Sequence, residues 1–301
     1  MRQAALDGGG TGEVGSVHAR AIFGPHQNPS PGPMQTFVSY TPTYATHVTE
    51  SKLCATCHTV ITRAIDAKGN PVGLEFAEQV PYLEWQNSAY NTEGTPGPKA
   101  ASCQGCHMPV NDEDGAGINT VLATYKNIPL SPRNPIGRHL MLGGNGYMLR
   151  VFADNTQWMG TASASADLAA QAQRTDDFVR RAVTLGIKSS ARAGGGLEVV
   201  VSVGNQSGHK FPTGYPSRRA WLHVTLSQGG NVFFDSGAFD EFGRLVDRKK
   251  NVLDHFGTVL PHKDVVDDEA QVQVYESVPG DQSEKVPASL LDAFRYIKDN
   301  R

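Results

Sequence analysis

Cys54-Ala55-Thr56-Cys57-His58 and Cys103-Gln104-Gly105-Cys106-His107 are the two stretches from which the rest of the chain is read. Each is a complete Cys-x-x-Cys-His, and together they use all four cysteines of the sequence. This is the pattern at which a c-type haem is attached. Two thiols three positions apart each form a thioether to one porphyrin vinyl group, and the next residue brings an imidazole to the iron as proximal ligand. The pattern implies haem c, two per chain, with Cys54, Cys57, His58, Cys103, Cys106 and His107 holding them and His58 and His107 on the irons. Two other chemistries use paired cysteines. Zinc ribbons set their pairs about 15–20 residues apart, whereas about 45 intervene here, and zinc needs no histidine directly after each pair. A redox dithiol wants a thioredoxin-like βαβ setting, and the flanks of both motifs read as loop-rich.

The 301 residues suffice for two domains with hydrophobic cores. Glycine (32) and proline (18) together make about one sixth of the chain, above the roughly 12% of an average protein, so loops and turns are expected to be plentiful. A net charge of −3 argues against a nucleic-acid binder. No apolar run approaches the ~20 residues of a membrane span.

Along the chain, residues 1–45 read as an arm without a period. Short helices are expected over 46–62, around the first motif, and over 81–90, where Pro81 suits the first turn. Residues 111–115 (Asn-Asp-Glu-Asp-Gly) read as an exposed turn, because the glycine and final glutamate of a calcium loop are out of place. The best helical pattern runs over 164–184, with Leu168, Phe178, Val179, Ala182 and Val183 available for a buried face. After Gly194-Gly195-Gly196 the pattern changes: strands are expected over 197–203, 220–227, 231–235 and 271–278, with Gly229-Gly230 as a hairpin turn and a closing helix over 289–298. The expected fold is therefore α+β: a loop-rich, partly helical dihaem module over 1–190, followed by a β-sandwich-like domain over 195–301 with a C-terminal helix.

The strings around the motifs resemble bacterial multihaem c-type cytochromes related to the cytochrome c-554 group. They are Ser51-Lys52-Leu53 before Cys54, Glu78-Gln79-Val80-Pro81-Tyr82-Leu83-Glu84-Trp85, Ser102 through Cys106-His107-Met108-Pro109, and Ser207-Gly208-His209-Lys210-Phe211-Pro212-Thr213-Gly214-Tyr215 continuing to Trp221. The resemblance covers most of residues 45–300. Relatives of that kind often carry further haems upstream and more β structure downstream, so the chain is expected to be a portion of a longer protein.

The resemblance implies bis-histidine iron. Eight histidines remain for distal positions: His18, His26, His47, His139, His209, His223, His255 and His262. His47 stands seven residues before Cys54, about two helical turns, too far along the axis to cap its own haem but able to reach a neighbouring one. His139 sits among glycines that let backbone approach a flat porphyrin, and His209 lies in a Gly-His-Lys-Phe-Pro loop. These three are the distal candidates; His223, on an alternating strand, reads as surface. Met141, Met148 and Met159 are rival ligands that would raise the potential, each better explained as core. Arg138, Arg218 and Arg219 are candidates to pair with propionates.

The leading expectation is an electron carrier between redox partner proteins, further cytochromes among them, rather than an enzyme. The alternative is a haem enzyme that reduces or oxidises a small nitrogen or sulfur compound at an open iron. A third reading makes the β-rich half a binding surface for a partner protein or sugar. Haem c attachment occurs outside the cytoplasm, which implies a periplasmic or extracellular protein, although residues 1–20 contain no signal-peptide pattern.

Overall fold

The computed structural model describes residues 20–112 and 114–300. His18 and the first part of the arm lie outside the described residues. The elements follow in chain order as β1 (Ala21–Gly24), α1 (Pro31–Val38), β2 (Thr41–Tyr44), α2 (Ser51–Ala55), β3 (Val60–Ile65), β4 (Pro71–Gln79), α3 (Pro81–Gln86) and α4 (Cys103–His107). There follow β5 (Thr124–Tyr125), β6 (Ile128–Pro129), α5 (Gly146–Asp154), α6 (Thr156–Met159), α7 (Ser165–Arg180), β7 (Val183–Ala193) and β8 (Gly196–Asn205). The chain ends with β9 (Arg219–Trp221), β10 (Val224–Gln228), β11 (Asn231–Ser236), β12 (Val274–Glu276), β13 (Val278–Gly280) and β14 (Arg295–Lys298). The class is α+β, and among the described residues every sheet is two-stranded.

The chain divides into two compact units, and it does so out of sequence order. One contains Met1–Cys57 and Trp85–Gly208; the other contains His58–Glu84 and His209–Arg301.

In the first unit, α5 packs against α7. Asn145 caps α5 by accepting from the Met148 amide at 3.1 Å. Gly146 permits the close approach: a Cβ there would stand 3.3 Å from the Ala172 carbonyl and collide with the Asp176 carboxylate. Ala172 and Thr175 are the buried residues of α7, and Arg150 pairs with Asp176 across the two helices. The expected helix over 164–184 ends at Arg180, because Val183 and Thr184 leave it to begin β7 and pair with Asn205 and Gly204. β7 and β8 turn over Gly194 and Gly195, both at positive φ (57° and 82°). Their shared face carries Leu185 and Ile187, which are 67% and 73% exposed.

In the second unit the core is Leu245, Val272 and Val274, with Trp221, Leu253 and Leu260 packed around it. β9 pairs with β12, and β10 with β11 across Gly229 and Gly230 (φ 57° and 83°), the hairpin turn the sequence calls for. Arg219 is held by Asp254, whose other oxygen accepts from the Leu245 amide at 2.9 Å, and lies over the Trp221 ring at 5.4 Å. Its guanidinium is thus a strut of this core, not a group kept for propionates.

Three expected helices are corrected. Over 46–62 the structure has a 3₁₀ turn at Thr46–Thr49 and the short α2, and the β-branched run from Val60 then enters β3. The helix over 81–90 stops at Gln86, after which the Ser88 hydroxyl accepts from the Tyr90 amide at 3.1 Å and turns the chain. The C-terminal helix over 289–298 is a 3₁₀ turn, Leu290–Asp292, followed by β14, whose backbone bonds go to β13. The exposed turn near Asp112 is present: its carboxylate accepts from the amides of Asp114 (3.1 Å) and Ala116 (2.8 Å).

Tyr296 explains why β14 is held extended. Its hydroxyl donates to the carbonyls of Ala77 (2.9 Å) and Glu78 (3.2 Å), and its ring packs on Phe76 at 4.7 Å. Burial, with the nearby charges of Asp299, Glu84 and Glu78, pushes its hydroxyl up to about 12. The folded value lies above the unfolded one, so the neutral form is the stabilised one: its contribution is complete below pH ~10 and is lost as pH rises through ~12. Alkaline unfolding of Tyr296→Phe should lack this component, while its stability at neutral pH falls by about 1–2 kcal/mol for the two lost hydrogen bonds. Tyrosinate absorbance and a denaturant titration at both pH values check the pair of effects.

Candidate functional site

The two cysteine motifs, 49 residues apart from Cys54 to Cys103, meet in the first unit through α2 and α4. Ser102 caps α4, its hydroxyl accepting from the Gly105 amide at 3.2 Å. One turn before Cys54, the fully buried Ser51 accepts from the Cys103 amide at 3.1 Å. The Gln104 side chain, inside the second motif, donates to the carbonyls of Val48 (3.1 Å) and Glu50 (2.8 Å), which bracket the entry to the first. Ser51 and Cys54, at positions i and i+3, therefore share the face of α2 that meets the start of α4.

Cys54 and Cys103 are half-buried, and Cys57 and Cys106 are exposed. Cys54 hydrogen-bonds to Cys103, and this bond together with burial pushes the Cys54 thiol up. The same bond, helped by Ser51 and opposed by burial, brings Cys103 down to about 6.

His107 is oriented by backbone. Its Nδ1 hydrogen-bonds to the Leu142 carbonyl, which can only accept, so the neutral ring carries its lone pair on Nε2. The Leu142 amide returns a bond to the His107 carbonyl at 3.2 Å, and the Arg138 amide bonds to the Pro109 carbonyl at 2.9 Å. The 138–142 loop is pinned at both ends to the tail of the second motif, and the exposed His139 sits on the turn between. α7 supports this arrangement: Gln171 donates to the Leu140 carbonyl at 2.7 Å, and the Phe178 ring lies 5.3 Å from that of His107.

His47 is on the 3₁₀ turn that Gln104 grips from both sides, half-buried, with its ring edge-on to Phe23 at 5.2 Å. The structure thus joins the His47 segment to the second motif.

In the second unit, the His58 carbonyl accepts from the Tyr82 amide at 3.4 Å, and the His58 side chain is exposed. His209 is half-buried, its Nδ1 at 2.9 Å from the Lys210 carbonyl. The loop that follows is anchored by Glu84, which accepts from the Lys210 amide (3.0 Å) and the Thr213 hydroxyl (2.5 Å). Asn300 donates to the Pro212 carbonyl at 2.7 Å, and Gly214 lies so close to Gln79 that a Cβ would stand 2.7 Å from its Cα. Two of the strings that carry the cytochrome resemblance, 78–84 and 209–215, therefore lie against each other. His223 pairs with Asp235 at 2.8 Å, and His262 is held between Gln273 and Asp264, so both have structural partners.

The donor set fits a covalently held haem. Each motif offers one half-buried and one exposed thiol, and His107 is held in the tautomer that ligates through Nε2. Among the described residues no three His, Cys, Asp or Glu side chains are grouped to hold a metal ion. After the first motif, β3 pairs antiparallel with β4, which is not a βαβ unit. Ser51, Gln104, Leu142, Phe178 and Glu84 act here without having been given a role of their own in the site from the sequence. The Ser-x-x-Cys spacing of Ser51 was a visible signal; the carbonyl of Leu142 has none. No family model, curated protein or solved structure matches the chain, and no helix among the described residues is long and apolar enough to cross a membrane.

Proposed function

We propose that the chain is a dihaem c-type cytochrome that carries electrons between exported redox partners, in the periplasm or outside the cell. Residues 1–190 supply the haem-bearing module, and the β-rich segment from 195, built round Leu245 and Val274, is the sandwich-like part. The observation that carries this reading is the meeting of the two Cys-x-x-Cys-His motifs, with Ser51, one turn before Cys54, accepting from the Cys103 amide and Gln104 of the second motif bonded to the Val48 and Glu50 carbonyls. Attachment points that adjoin suit a relay; two unrelated cofactor sites would have no need to touch.

Haem c supplies reversible one-electron exchange at iron. The chain's own residues do the rest. Cys54 and Cys57 hold one group and Cys103 and Cys106 the other, with His58 and His107 as proximal ligands. Leu142 fixes the His107 ring through the Nδ1 hydrogen bond. Of His47, His139 and His209, each on a segment whose backbone is tied down by Gln104, by residues 107–109, or by Glu84 and Asn300 respectively, two would be the distal ligands of the two irons. Immobile ligands keep the iron environment the same in both charge states, which is what a carrier requires.

EPR and near-infrared spectra of the oxidised, haem-loaded protein test this. Two low-spin, bis-histidine irons are expected, and His47→Ala or His139→Ala should turn one of them five-coordinate and high-spin. A wild-type high-spin iron that binds nitrite or hydroxylamine would move the protein to the enzyme reading. A protein without covalent haem that holds stoichiometric zinc would end the proposal.

A further inference from the structure

We propose that before haem is attached Cys54 and Cys103 form a disulfide across the two motifs, an oxidised state that blocks one attachment thiol in each. The usual expectation for Cys-x-x-Cys is a bridge within the motif. Here the two half-buried cysteines, Cys54 and Cys103, stand on the adjoining elements α2 and α4, while Cys57 and Cys106 are exposed. The helices are already clamped: Ser51 receives the Cys103 amide, and Gln104 bonds to Val48 and Glu50. The bridge would therefore join two elements that already adjoin.

The reaction is thiol–disulfide exchange with a disulfide of the exported compartment, either a small-molecule disulfide or a dithiol oxidase. The Cys103 thiolate attacks one sulfur of that oxidant and expels the other as a thiolate, leaving a mixed disulfide. The Cys54 sulfur then attacks the Cys103 sulfur and expels the second oxidant thiolate. Two protein thiols are oxidised, one external disulfide is reduced to two thiols, and the two protons go to the departing sulfurs. Cys103 begins the exchange because it stands at the first position of α4, where the backbone amides favour a thiolate.

The bridge would pin α2 to α4 and hold the motifs in register, but neither motif could form both thioethers until a reductant reopened it. That consequence for haem attachment rests on the cytochrome reading; the bridge itself does not.

The haem-free full-length chain, incubated with oxidised glutathione, trapped with iodoacetamide and digested without reductant, gives the test. Free thiols should fall from four to two per chain, and one linked peptide pair should join residues 54 and 103. Linked peptides within 54–57 or 103–106, or four thiols left free, would overturn the proposal. The double variant Cys57→Ser, Cys106→Ser keeps only the pair in question. It should oxidise to a monomer at a rate independent of protein concentration, and oxidation only to a dimer would overturn the proposal. Haem content after co-expression with a maturation system is measured separately. A bridge without haem uptake sinks the cytochrome reading alone, and haem uptake without a bridge sinks this inference alone.

Discussion

Substituting Cys103→Ser together with Cys106→Ser is expected to halve the covalently bound haem, from two groups per chain to one. The change removes both thioether partners of the second motif and leaves the first motif's thiols untouched. The local frame should survive, because what holds α4 is not the sulfur. Ser102 still caps it, the amide at 103 still reaches Ser51, and Gln104 still binds Val48 and Glu50. The remaining haem therefore has its attachment site in place. The alkaline pyridine spectrum per mole of protein, with the intact mass under denaturing conditions, gives the stoichiometry directly. An unchanged haem content would mean that the second motif does not hold one. Complete loss, with the fold intact by circular dichroism, would mean that the motifs load only as a pair.

Gly237→Ala is expected to be the most destabilising small substitution in the second unit, costing about 3 kcal/mol or more. Gly237 has φ +87°, a left-handed conformation that alanine adopts only with strain. A Cβ there would also meet backbone: it collides with the Leu222 carbonyl oxygen and lies 3.1 Å from the His223 Cα. Backbone atoms cannot swing aside as a flexible side chain would. The Gly237 carbonyl also accepts from the Trp221 indole at 2.9 Å, so any shift to relieve the collision pulls on a ring that packs against the Leu245–Val274 core. Gly243→Ala is the control, since Gly243 shares the positive φ (+75°) but has open space around its would-be Cβ. It should cost only about 1 kcal/mol. Urea unfolding followed by tryptophan fluorescence measures both; equal costs would show that the Leu222 contact is not what matters.

The Cys-x-x-Cys-His pattern is written within five consecutive residues, twice, and needs no tertiary information to be read. The same holds for elements governed by near neighbours: the long helix ending at Arg180, the turn at Gly229-Gly230, and the Asp112 turn with its side-chain bonds to the next amides. The errors fell where a local pattern was overruled from a distance. Residues 289–298 carry a helical spacing of apolar side chains, yet β13 takes their backbone bonds and Ala77 and Glu78 take the Tyr296 hydroxyl, so the segment is extended. The run from Val60 pairs with β4 for the same reason.

By itself, then, the sequence determined where the two Cys-x-x-Cys-His motifs stand, that helices and strands would be mixed, and where several turns lie. Only the tertiary structure decided that the motifs meet, that Ser51 and Gln104 join them, that Leu142 sets the tautomer of His107, and that residues 58–84 belong with 209–301. Each of these depends on backbone amides and carbonyls meeting partners tens of residues away. Every residue carries such groups, so their pairing leaves no mark in the order of side chains.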